Sequence, residues 1–460
     1  MSRAFDAIIV GAGQAGPPLA NRLTRAGQSV ALVERKLFGG TCVNTGCMPT
    51  KTLVASARAA HVARRAADFG VVLAGGVGID MLKVKSRADT VIANARHGVR
   101  TWLDDMDGCT VIEGHAHFED ARTLRVGDER LTAPRIFLNV GGRAAVPDMP
   151  GLRDIPYLTN TSILALDQVP AHLLIIGGSY IGLEYAQMYR RFGARVSVLE
   201  KGPHLIGRED EDVSLAVRDI LEGEGIGVRT GVDKIAFARE GEAIAVTIDG
   251  ARVVCSHVLV AVGRVPNTGD LGLDRAGVAT DTRGYIIVDD ELQSSVPGIW
   301  ALGDCNGRGA FTHTAYNDFE IVAANLLDGE HRRLSERVSG YALYIDPPLG
   351  RVGIGETEAR KGGRPYLIGK RPMTRVGRAV EKGETQGFMK VIVDAETKAI
   401  LGAAILGVEG DEAIHGIIDM MSVGATATDL QRTVPIHPTV SELIPTLLSE
   451  ARAPDELSSS

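Results

Sequence analysis

Short apolar runs alternate along the chain with longer stretches that have the length and composition of helices. Residues 6–10 and 29–33 are two such runs, and residues 173–176 and 195–199 are two more. An apolar run of this length between turn residues predicts a strand buried on both faces, as in a parallel sheet. A helix is predicted between the strands of each pair, so the pattern indicates two βαβ units and an α/β fold.

The two βαβ units are built alike around a glycine-rich turn. In both, an acidic residue ends the second strand 18 positions after the last glycine of the turn. This combination is the dinucleotide-binding fingerprint, because the glycines let backbone N–H groups approach a pyrophosphate and the carboxylate accepts from ribose hydroxyls. The alternative is a pair of βαβ units without nucleotide. The matching positions are Gly11, Gly13, Gly16 and Glu34 in the first unit and Gly177, Ser179, Gly182 and Glu200 in the second.

Cys42 and Cys47 are separated by four residues where a loop leads into a predicted helix over residues 51–69. Pro49 suits the first turn of that helix. Cys47 is then expected near the positive end of the helix dipole, where a thiolate is stabilised and the thiol pKa falls. The spacing favours a redox-active disulfide. A zinc site would need a second pair of cysteines or histidines, and two buried structural thiols are the other alternative.

Composition and charge describe a large globular protein. The 460 residues are 45% apolar and 23% charged, which predicts two to four domains with an ordinary core. A net charge of −7 argues against nucleic acid and anionic membranes as partners. The first residues lead into a strand without a signal-peptide apolar stretch, so we expect a cytoplasmic protein with no membrane span. Five cysteines do not suggest a secreted disulfide framework, and Cys109, Cys255 and Cys305 are predicted to be buried thiols.

Five separated motifs together resemble one family. They are the two glycine-rich turns, the Cys42–Cys47 segment, the Ala301–Asp304 segment and the Val434–Glu442 segment, in that family's order. The chain resembles the class I pyridine nucleotide-disulfide oxidoreductases, which include dihydrolipoamide dehydrogenase, glutathione reductase and mercuric reductase. The resemblance implies an α/β protein with two Rossmann-like nucleotide-binding domains, for FAD and NAD(P), and a C-terminal α/β dimerisation domain.

The resemblance also implies domain boundaries. The FAD-binding domain is expected over residues 1–143 and 265–334, the NAD(P)-binding domain over 144–264, and the interface domain over 335–460. Within the last, residues 344–348, 385–393 and 400–406 are predicted strands. A helix from Asp411 to about Val423 is expected to pack across the dimer.

Cofactor contacts follow from the same resemblance. Glu200 is expected to accept from a ribose 2′-hydroxyl and to repel a 2′-phosphate, so NAD(H) is favoured over NADP(H). Lys201, His204 and Arg208 lie close behind and leave NADPH as the alternative. The FAD residues implied are Gly11, Gly13, Gly16, Glu34, Gly40, Thr41, Lys51, Ala116, Asp304, Phe311 and Thr312. The nicotinamide-nucleotide residues implied are Gly177, Ser179, Tyr180, Ile181, Gly182, Glu200 and Gly263.

The resemblance implies a route for electrons. Reduced nicotinamide passes a hydride to the flavin, and the flavin reduces the Cys42–Cys47 disulfide, with Cys47 nearer the flavin and Cys42 attacking the substrate. His437, oriented by Glu442, shuttles protons to Cys42 from the other subunit, so the catalytic unit is a homodimer. Two further residues, Lys51 and Glu184, lie beside the flavin and the nicotinamide, and Tyr180 covers the nicotinamide site when that site is empty.

The motifs do not distinguish between several classes of substrate. Cys305 is the last cysteine in the sequence, so we expect neither the C-terminal cysteine pair of mercuric reductases nor the N-terminal metal-binding domain that many of them carry. Residues 48–50 and 303–305 nevertheless look closer to the mercuric-reductase-like branch than to dihydrolipoamide dehydrogenase. We therefore expect a dithiol, disulfide or metal-ion substrate and no resident metal. The alternatives are a mercuric- or copper-ion reductase, a dihydrolipoamide dehydrogenase, and a redox- or nicotinamide-sensing binding protein with negligible turnover.

Overall fold

Two five-stranded parallel sheets are built around the two βαβ repeats. The computed structural model describes residues 2–457. In spatial order the first sheet contains Ile299–Ala301, Arg135–Leu138, Ala7–Val10, Val30–Glu34 and Cys109–Glu113. The second sheet contains Tyr157–Leu158, His257–Val260, His172–Ile176, Arg195–Leu199 and Gly227–Arg229. The fold is therefore α/β with two Rossmann-like sheets, as the apolar runs predicted.

The strands of the first sheet carry continuous apolar sequence because both faces are covered. Ile9 and Leu32 belong to the core on one face, and Ile8 and Val33 to the core on the other. Such double burial is typical of parallel sheets covered by crossover helices. The two central strands end level, with Val10 paired to Val33, so the glycine turn emerges at the carboxyl edge of the sheet. That edge is where α/β proteins bind ligands.

Three smaller sheets connect or flank the nucleotide-binding units. The chain crosses between the two large sheets on adjacent antiparallel strands, Gly142–Ala144 and Arg264–Pro266. The predicted boundaries near residues 143 and 264 lie in this pair of strands. The other two sheets contain Ser2–Ala4, Glu129–Thr132, Thr123–Val126 and Ala116–Asp120, and Ile235–Glu240, Ala243–Ile248 and Ala251–Cys255.

The C-terminal region forms a five-stranded antiparallel sheet. Its order is Gly340–Leu343, Leu349–Gly353, Ile400–Leu406, Phe388–Asp394 and Tyr366–Pro372. The strand predicted at residues 344–348 is wrong, because this segment is the connection between the first two strands. Pro347 and Pro348 have no N–H to donate to a ladder, so the apolar residues here do not form a strand.

The helices largely follow the expected positions, with two differences. The helix that carries the second cysteine begins at Cys47 and ends at Arg64, before a separate 3₁₀ turn at Ala66–Phe69. The helix expected from Asp411 to Val423 is split by a turn at Ile414 into Gly410–Ala413 and His415–Ser422. The remaining helices are Gly16–Arg25, Gly40–Asn44, Met81–Asp104, Tyr180–Phe192, Glu211–Gly223, Leu273–Ala276, Thr312–Ala323, Glu356–Lys361, Gly377–Glu381, Ala427–Gln431, Ile444–Ser449 and Pro454–Leu457.

The cysteines outside the 42–47 pair are structural thiols with different exposure. Cys255 and Cys305 are buried, as expected, whereas Cys109 is only half-buried, because its strand lies at the edge of the first sheet. Across residues 2–457, no helix combines the length and apolar character required to cross a membrane.

Candidate active site

One continuous cavity joins the two glycine-rich turns. Its volume of about 2660 Å³ exceeds the usual range for a single small-molecule pocket, roughly 300–1,000 Å³, and so has room for two dinucleotides. Of the residues predicted for the site, four lie outside the cavity: Gly16, Gly182, His437 and Glu442. Those that line it are Gly11, Gly13, Glu34, Gly40, Thr41, Cys42, Cys47, Lys51, Ala116, Gly177, Ser179, Tyr180, Ile181, Glu184, Glu200, Gly263, Asp304, Phe311 and Thr312.

The last glycine of each turn serves packing within the turn. A Cβ on Gly16 would lie 2.3 Å from the carbonyl oxygen of Gly11, and a Cβ on Gly182 would lie 2.0 Å from that of Gly177. Both distances are far below van der Waals contact, so only glycine lets the helix pack this closely against the turn. The structure places these two glycines behind the turn instead of in the cavity wall.

The two strand-end carboxylates are held in the same way. Glu34 accepts from the backbone N–H of Ala12 and of Lys36, both at 2.8 Å. Glu200 accepts from the N–H of Gly178 and of Gly202, both at 2.7 Å. Two fixed hydrogen bonds orient each carboxylate toward the cavity, and each oxygen keeps a lone pair for a ribose hydroxyl.

The first turn has a side-chain partner that the sequence analysis missed. With its amide oxygen directed at the turn, Asn139 accepts from the N–H of Gly16 at 2.9 Å and of Gly13 at 3.3 Å. Gly40, with φ +62°, covers the same turn, and a Cβ on it would lie 2.9 Å from the Cα of Gly13. The available signal was that Asn139 directly follows an apolar strand, Arg135–Leu138, where polar residues reach the ligand edge of a sheet.

The cysteine pair is asymmetric. Both are free thiols, and the Cys42 thiol donates to Cys47, which begins its helix next to Gly46. This hydrogen bond, a further one with the Thr312 hydroxyl at 3.3 Å and the charge of Lys51 lower the pKa of Cys47 to about 6. The pKa of Cys42 is raised, because its thiol donates to Cys47 and is partly buried. Of the two thiols, Cys47 is therefore the one with the lower pKa.

Lys51 and Glu184 meet at the cavity wall. The ammonium of Lys51 donates to both oxygens of Glu184, at 2.7 and 2.9 Å. Glu184 is only 5% exposed and also accepts from the backbone N–H of Tyr344 at 3.0 Å. Lys51 lies 4.5 Å from the centre of the Tyr344 ring. Lys51 is thus fixed in the cavity wall by Glu184 and Tyr344, which come from two other parts of the chain.

Asp304 is paired with a second residue that the sequence analysis missed. It lies 3.3 Å from the guanidinium of Arg264, which also donates to the carbonyl of Gly142 at 2.6 Å and to the hydroxyl of Thr41 at 3.3 Å. Burial raises the pKa of Asp304, and the Arg264 charge opposes that rise. Arg264 directly follows Gly263 and lies on a short crossover strand, so no periodic pattern marked it.

His437 and Glu442 form a pair away from the cavity. The imidazole Nδ1 lies 2.8 Å from the Glu442 carboxylate. His437 is 81% exposed while Glu442 is mostly buried, so the carboxylate fixes a ring that projects from the surface. Val434 and Ile436 beside it are also exposed, at 95% and 79%. Within one chain, the structure does not bring this pair into the cavity that contains Cys42.

Comparison with known proteins identifies the family. Residues 5–318 match the pyridine nucleotide-disulphide oxidoreductase model, and residues 340–448 match the dimerisation domain of the same name. The chain belongs to this family. It is an NAD(P)H-dependent flavoprotein disulfide oxidoreductase, which confirms the predicted fold class and reaction class.

Relatives in this family span nearly the whole chain. The probable pyridine nucleotide-disulfide oxidoreductase RclA of Escherichia coli K12 is 34% identical over 97% of this chain and 99% of its own length. A mercuric reductase of Streptomyces lividans is 33% identical over 96% and 94%. A dihydrolipoyl dehydrogenase of Thermus scotoductus is 33% identical over 96% of each chain.

A solved structure shows the same architecture. The Cu(II) complex of the HOCl-induced flavoprotein disulfide reductase RclA from Escherichia coli superimposes with a TM-score of 0.89 at 33% identity, covering 97% of this chain and 99% of that one. In residues 2–457 of the present protein, no group of three or more histidine, cysteine or carboxylate side chains is arranged to hold a metal ion.

Family membership supports FAD as the cofactor, and the residues present fit it. Glu34 is poised to accept from a ribose, and the turn at Gly13 leaves no room for a side chain, since a Cβ there would lie 3.0 Å from the Asn139 amide. Asp304 presents a partly buried carboxylate to the same cavity, which suits a chain of sugar hydroxyls. Cys47 and Lys51 line the remaining wall.

Proposed function

We propose that this protein uses NADH to reduce a disulfide substrate through FAD and the Cys42–Cys47 pair. The observation that carries the proposal is the Cys42–Cys47 pair on the wall of a cavity sized for two dinucleotides, with Cys47 at the start of a helix and 3.3 Å from the Thr312 hydroxyl. FAD, when bound, supplies two-electron transfer between the nicotinamide and the Cys42–Cys47 disulfide. The steps below describe what the side chains contribute.

The dithiol provides both the stored charge and the nucleophile. Lys51 and Thr312 hold the Cys47 thiolate, while the Cys42 thiol carries the proton. Once deprotonated, Cys42 attacks one sulfur of the substrate disulfide, forming a mixed disulfide and releasing the first substrate thiolate. Cys47 then attacks the Cys42 sulfur, which re-forms the Cys42–Cys47 bond and releases the second thiolate. Two sulfurs of the substrate are reduced and two of the enzyme are oxidised.

We assign proton transfer in these steps to the partner subunit's His437. The proton that leaves the Cys42 thiol must reach the first departing substrate thiolate, and an imidazole can accept and return that proton near neutral pH. The Glu442 carboxylate orients the ring through Nδ1 and leaves Nε2 free to face a partner. The exposure of His437 and the family's dimerisation domain over residues 340–448 support an active site shared between two subunits.

NADH is proposed over NADPH because of Glu200. Its two oxygens are held by backbone N–H groups of the second glycine turn and of Gly202, which leaves a negative charge where a 2′-phosphate would lie. Lys201 and Arg208 also line this end of the cavity and are the groups from which an NADPH preference would arise. The same proposal includes a FAD-binding domain over residues 1–143 and 265–334, an NAD(P)-binding domain over 144–264, an interface domain over 335–460 and a cytoplasmic location.

A metal ion is the second candidate substrate. The Cu(II) complex of RclA and the mercuric reductase among the relatives favour it, because a thiol–thiolate pair also binds soft metal ions. Metal reduction does not need a proton for a leaving sulfur. The retained His437–Glu442 pair is the reason that a disulfide is placed first.

A set of substrates measured with the wild type and with His437→Ala tests whether a disulfide or a metal ion is the substrate. Steady-state rates with NADH are measured for lipoamide, glutathione disulfide, Hg(II) and Cu(II). The disulfide rates are expected to fall about 100-fold in the variant, in the range of lost acid–base catalysis, with metal-ion rates within about twofold. Wild-type turnover of metal ions but of no disulfide would move the metal to first place. Absence of turnover with any acceptor would favour the binding-protein alternative.

A further inference from the structure

Four aromatic side chains form a cluster on the cavity wall. The Phe311 ring is stacked between Tyr341, at 5.6 Å and 11°, and His313, at 5.4 Å and 12°. Tyr180 meets this stack edge-on, at 5.4 Å from Tyr341 with an angle of 83° and at 6.3 Å from Phe311 with an angle of 89°. All four residues line the cavity. Tyr341 lies in the C-terminal sheet and was not singled out by any sequence motif.

Tyr341 is anchored from behind. Its hydroxyl donates to the carboxylate of Glu209, a side chain with 0% exposure. Glu209 is paired with Arg351, which is 4% exposed, at 3.6 Å. The next residue, Asp210, accepts from the backbone N–H of Glu356 at 2.9 Å. Buried ionic contacts therefore fix Tyr341 between the second nucleotide-binding sheet and the C-terminal sheet.

Tyr180 has no comparable ionic anchor. Its hydroxyl is buried and has no hydrogen-bond partner of normal geometry among the described residues. A buried hydroxyl without a partner carries a free-energy cost, so the ring keeps its place through its edge contacts with Tyr341 and Phe311. Tyr180 also begins the helix of the second glycine turn, one turn of helix before Glu184. In this cluster, the Tyr180 ring, whose hydroxyl has no anchor, contacts the Tyr341 ring, whose hydroxyl donates to Glu209.

We propose that Tyr341 is a positioning residue for nicotinamide entry: it holds Tyr180 across the nicotinamide position and thereby lowers the affinity for the nucleotide. This inference rests on the proposed function, in which the second unit binds NADH. Nucleotide entry displaces Tyr180 and breaks its edge contact with Tyr341, whereas Tyr341 stays on Glu209. Tyr341 acts only through Tyr180 and does not itself take part in electron transfer.

Equilibrium binding of NAD⁺ to the oxidised FAD-containing protein, measured by calorimetry, tests the role without turnover. Tyr341→Leu is expected to lower the Kd roughly two- to tenfold, the value of one lost aromatic edge contact. Tyr341→Phe keeps the ring but loses the hydroxyl, and its Kd is expected to lie between those of wild type and Tyr341→Leu. The limiting rate of flavin reduction by NADH is expected to change less than about twofold, since the reacting groups are untouched. Tyr366→Leu, whose hydroxyl contacts Arg360 outside the cavity, is the matched control.

A double-mutant cycle separates positioning from a general structural effect. In a Tyr180→Ala background, Tyr341→Leu is expected to leave the Kd unchanged, because the residue through which it acts is gone. Two results would overturn this inference but leave the proposed function intact. One is an equal effect of Tyr341→Leu in both backgrounds. The other is a folded Tyr341→Leu protein that retains FAD and binds NAD⁺ no more tightly than wild type. A wild-type protein that neither binds NAD⁺ nor is reduced by NADH would overturn the proposed function, and this inference with it.

Discussion

The two βαβ units share the same backbone arrangement at the glycine-rich turn but differ in the residues that surround it. Glu34 and Glu200 accept from equivalent backbone N–H groups at almost equal distances. A Cβ on Gly11 would lie 2.2 Å from the carbonyl of Asn139, and one on Gly177 would lie 2.4 Å from the carbonyl of Ala261. The backbone that cradles a pyrophosphate is therefore the same in both units.

The units differ at the third strand and the middle position of the turn. Asn139 braces the first turn with its side chain, and Gly40 covers it, whereas the equivalent of Asn139 is Ala261, which has no such group. Ser179 in the second turn is exposed, with φ −114°, so a side chain there causes no strain. The first turn is thus braced and covered and the second is not, which agrees with the proposed binding of a resident FAD by the first unit and an exchanging NADH by the second.

The largest effect is expected at the sulfur pair that both units serve. Cys47→Ser removes the thiolate that receives electrons, so disulfide reduction should fall roughly 1,000-fold or more. FAD content and reduction of the flavin by NADH are expected to persist, because neither nucleotide unit is touched. Cys255→Ser, which changes a buried thiol far from the pair, serves as control. Retained disulfide turnover in Cys47→Ser would place the redox couple elsewhere.

A matched pair of glycine substitutions separates the two units directly. Gly11 and Gly177 have φ +107° and +113°, and alanine at either meets a carbonyl. Gly11→Ala is expected to lower the bound FAD about tenfold or more, through backbone strain and displacement of the turn. Gly177→Ala is expected to keep FAD and to raise the Kd for NADH by a similar factor. Absorbance of the purified proteins and NADH titration measure the two results; FAD loss in both variants would refute the division of roles.

Glu200→Gln removes the negative charge of the second unit and keeps the shape of the side chain, although only one of the two backbone N–H groups retains its acceptor. Loss of the negative charge should improve kcat/KM for NADPH relative to NADH by about tenfold, since repulsion of a 2′-phosphate is removed. Glu34→Gln is the control in the other unit and should not alter that ratio. A wild-type preference for NADPH would assign the nucleotide contact to Lys201 and Arg208 instead.

The smallest effects are expected where the units differ. Asn139→Ala removes two hydrogen bonds from the first turn and should weaken FAD binding roughly fivefold. Ser179→Gly restores the usual residue in the second turn and should change the Kd for NADH by no more than about twofold. Competition binding and calorimetry measure these values. A larger change for Ser179→Gly than for Asn139→Ala would reverse the contrast between the two turns.

Local sequence patterns predicted the nucleotide-binding units. Site residues whose partners lie far away in the sequence could not be predicted in this way. The strand Arg195–Leu199 has the bounds of the apolar run that predicted it, because apolar runs beside glycine turns are local signals. Asn139 contacts Gly13 and Gly16, and Arg264 contacts Thr41 and Asp304. These partners lie far away in the sequence, so no short sequence spacing marked either residue. The apparent strand at residues 344–348 failed because two prolines cannot donate to a sheet.

The protonation of Cys47 gives a further prediction. Because its pKa is lowered to about 6 and that of Cys42 is raised, the reduced protein should carry one thiolate at pH 7. The thiolate should be lost as the pH falls through about 6, and thiol alkylation at Cys47 should slow in parallel. Alkylation rates for the Cys42→Ala variant should show a higher pKa for Cys47, since alanine cannot donate a hydrogen bond to the thiolate. A single ordinary thiol pKa in the wild type would contradict the asymmetric pair.

Anaerobic titration of the FAD-containing protein with NADH tests the electron route most directly. Electron transfer through the flavin to the Cys42–Cys47 disulfide predicts uptake of about two equivalents of NADH per subunit. It also predicts a long-wavelength thiolate-to-flavin absorption band after the first equivalent, absent in Cys47→Ser. Uptake of about one equivalent with simple flavin bleaching, the same in wild type and Cys47→Ser, would show that these two sulfurs are not the acceptor.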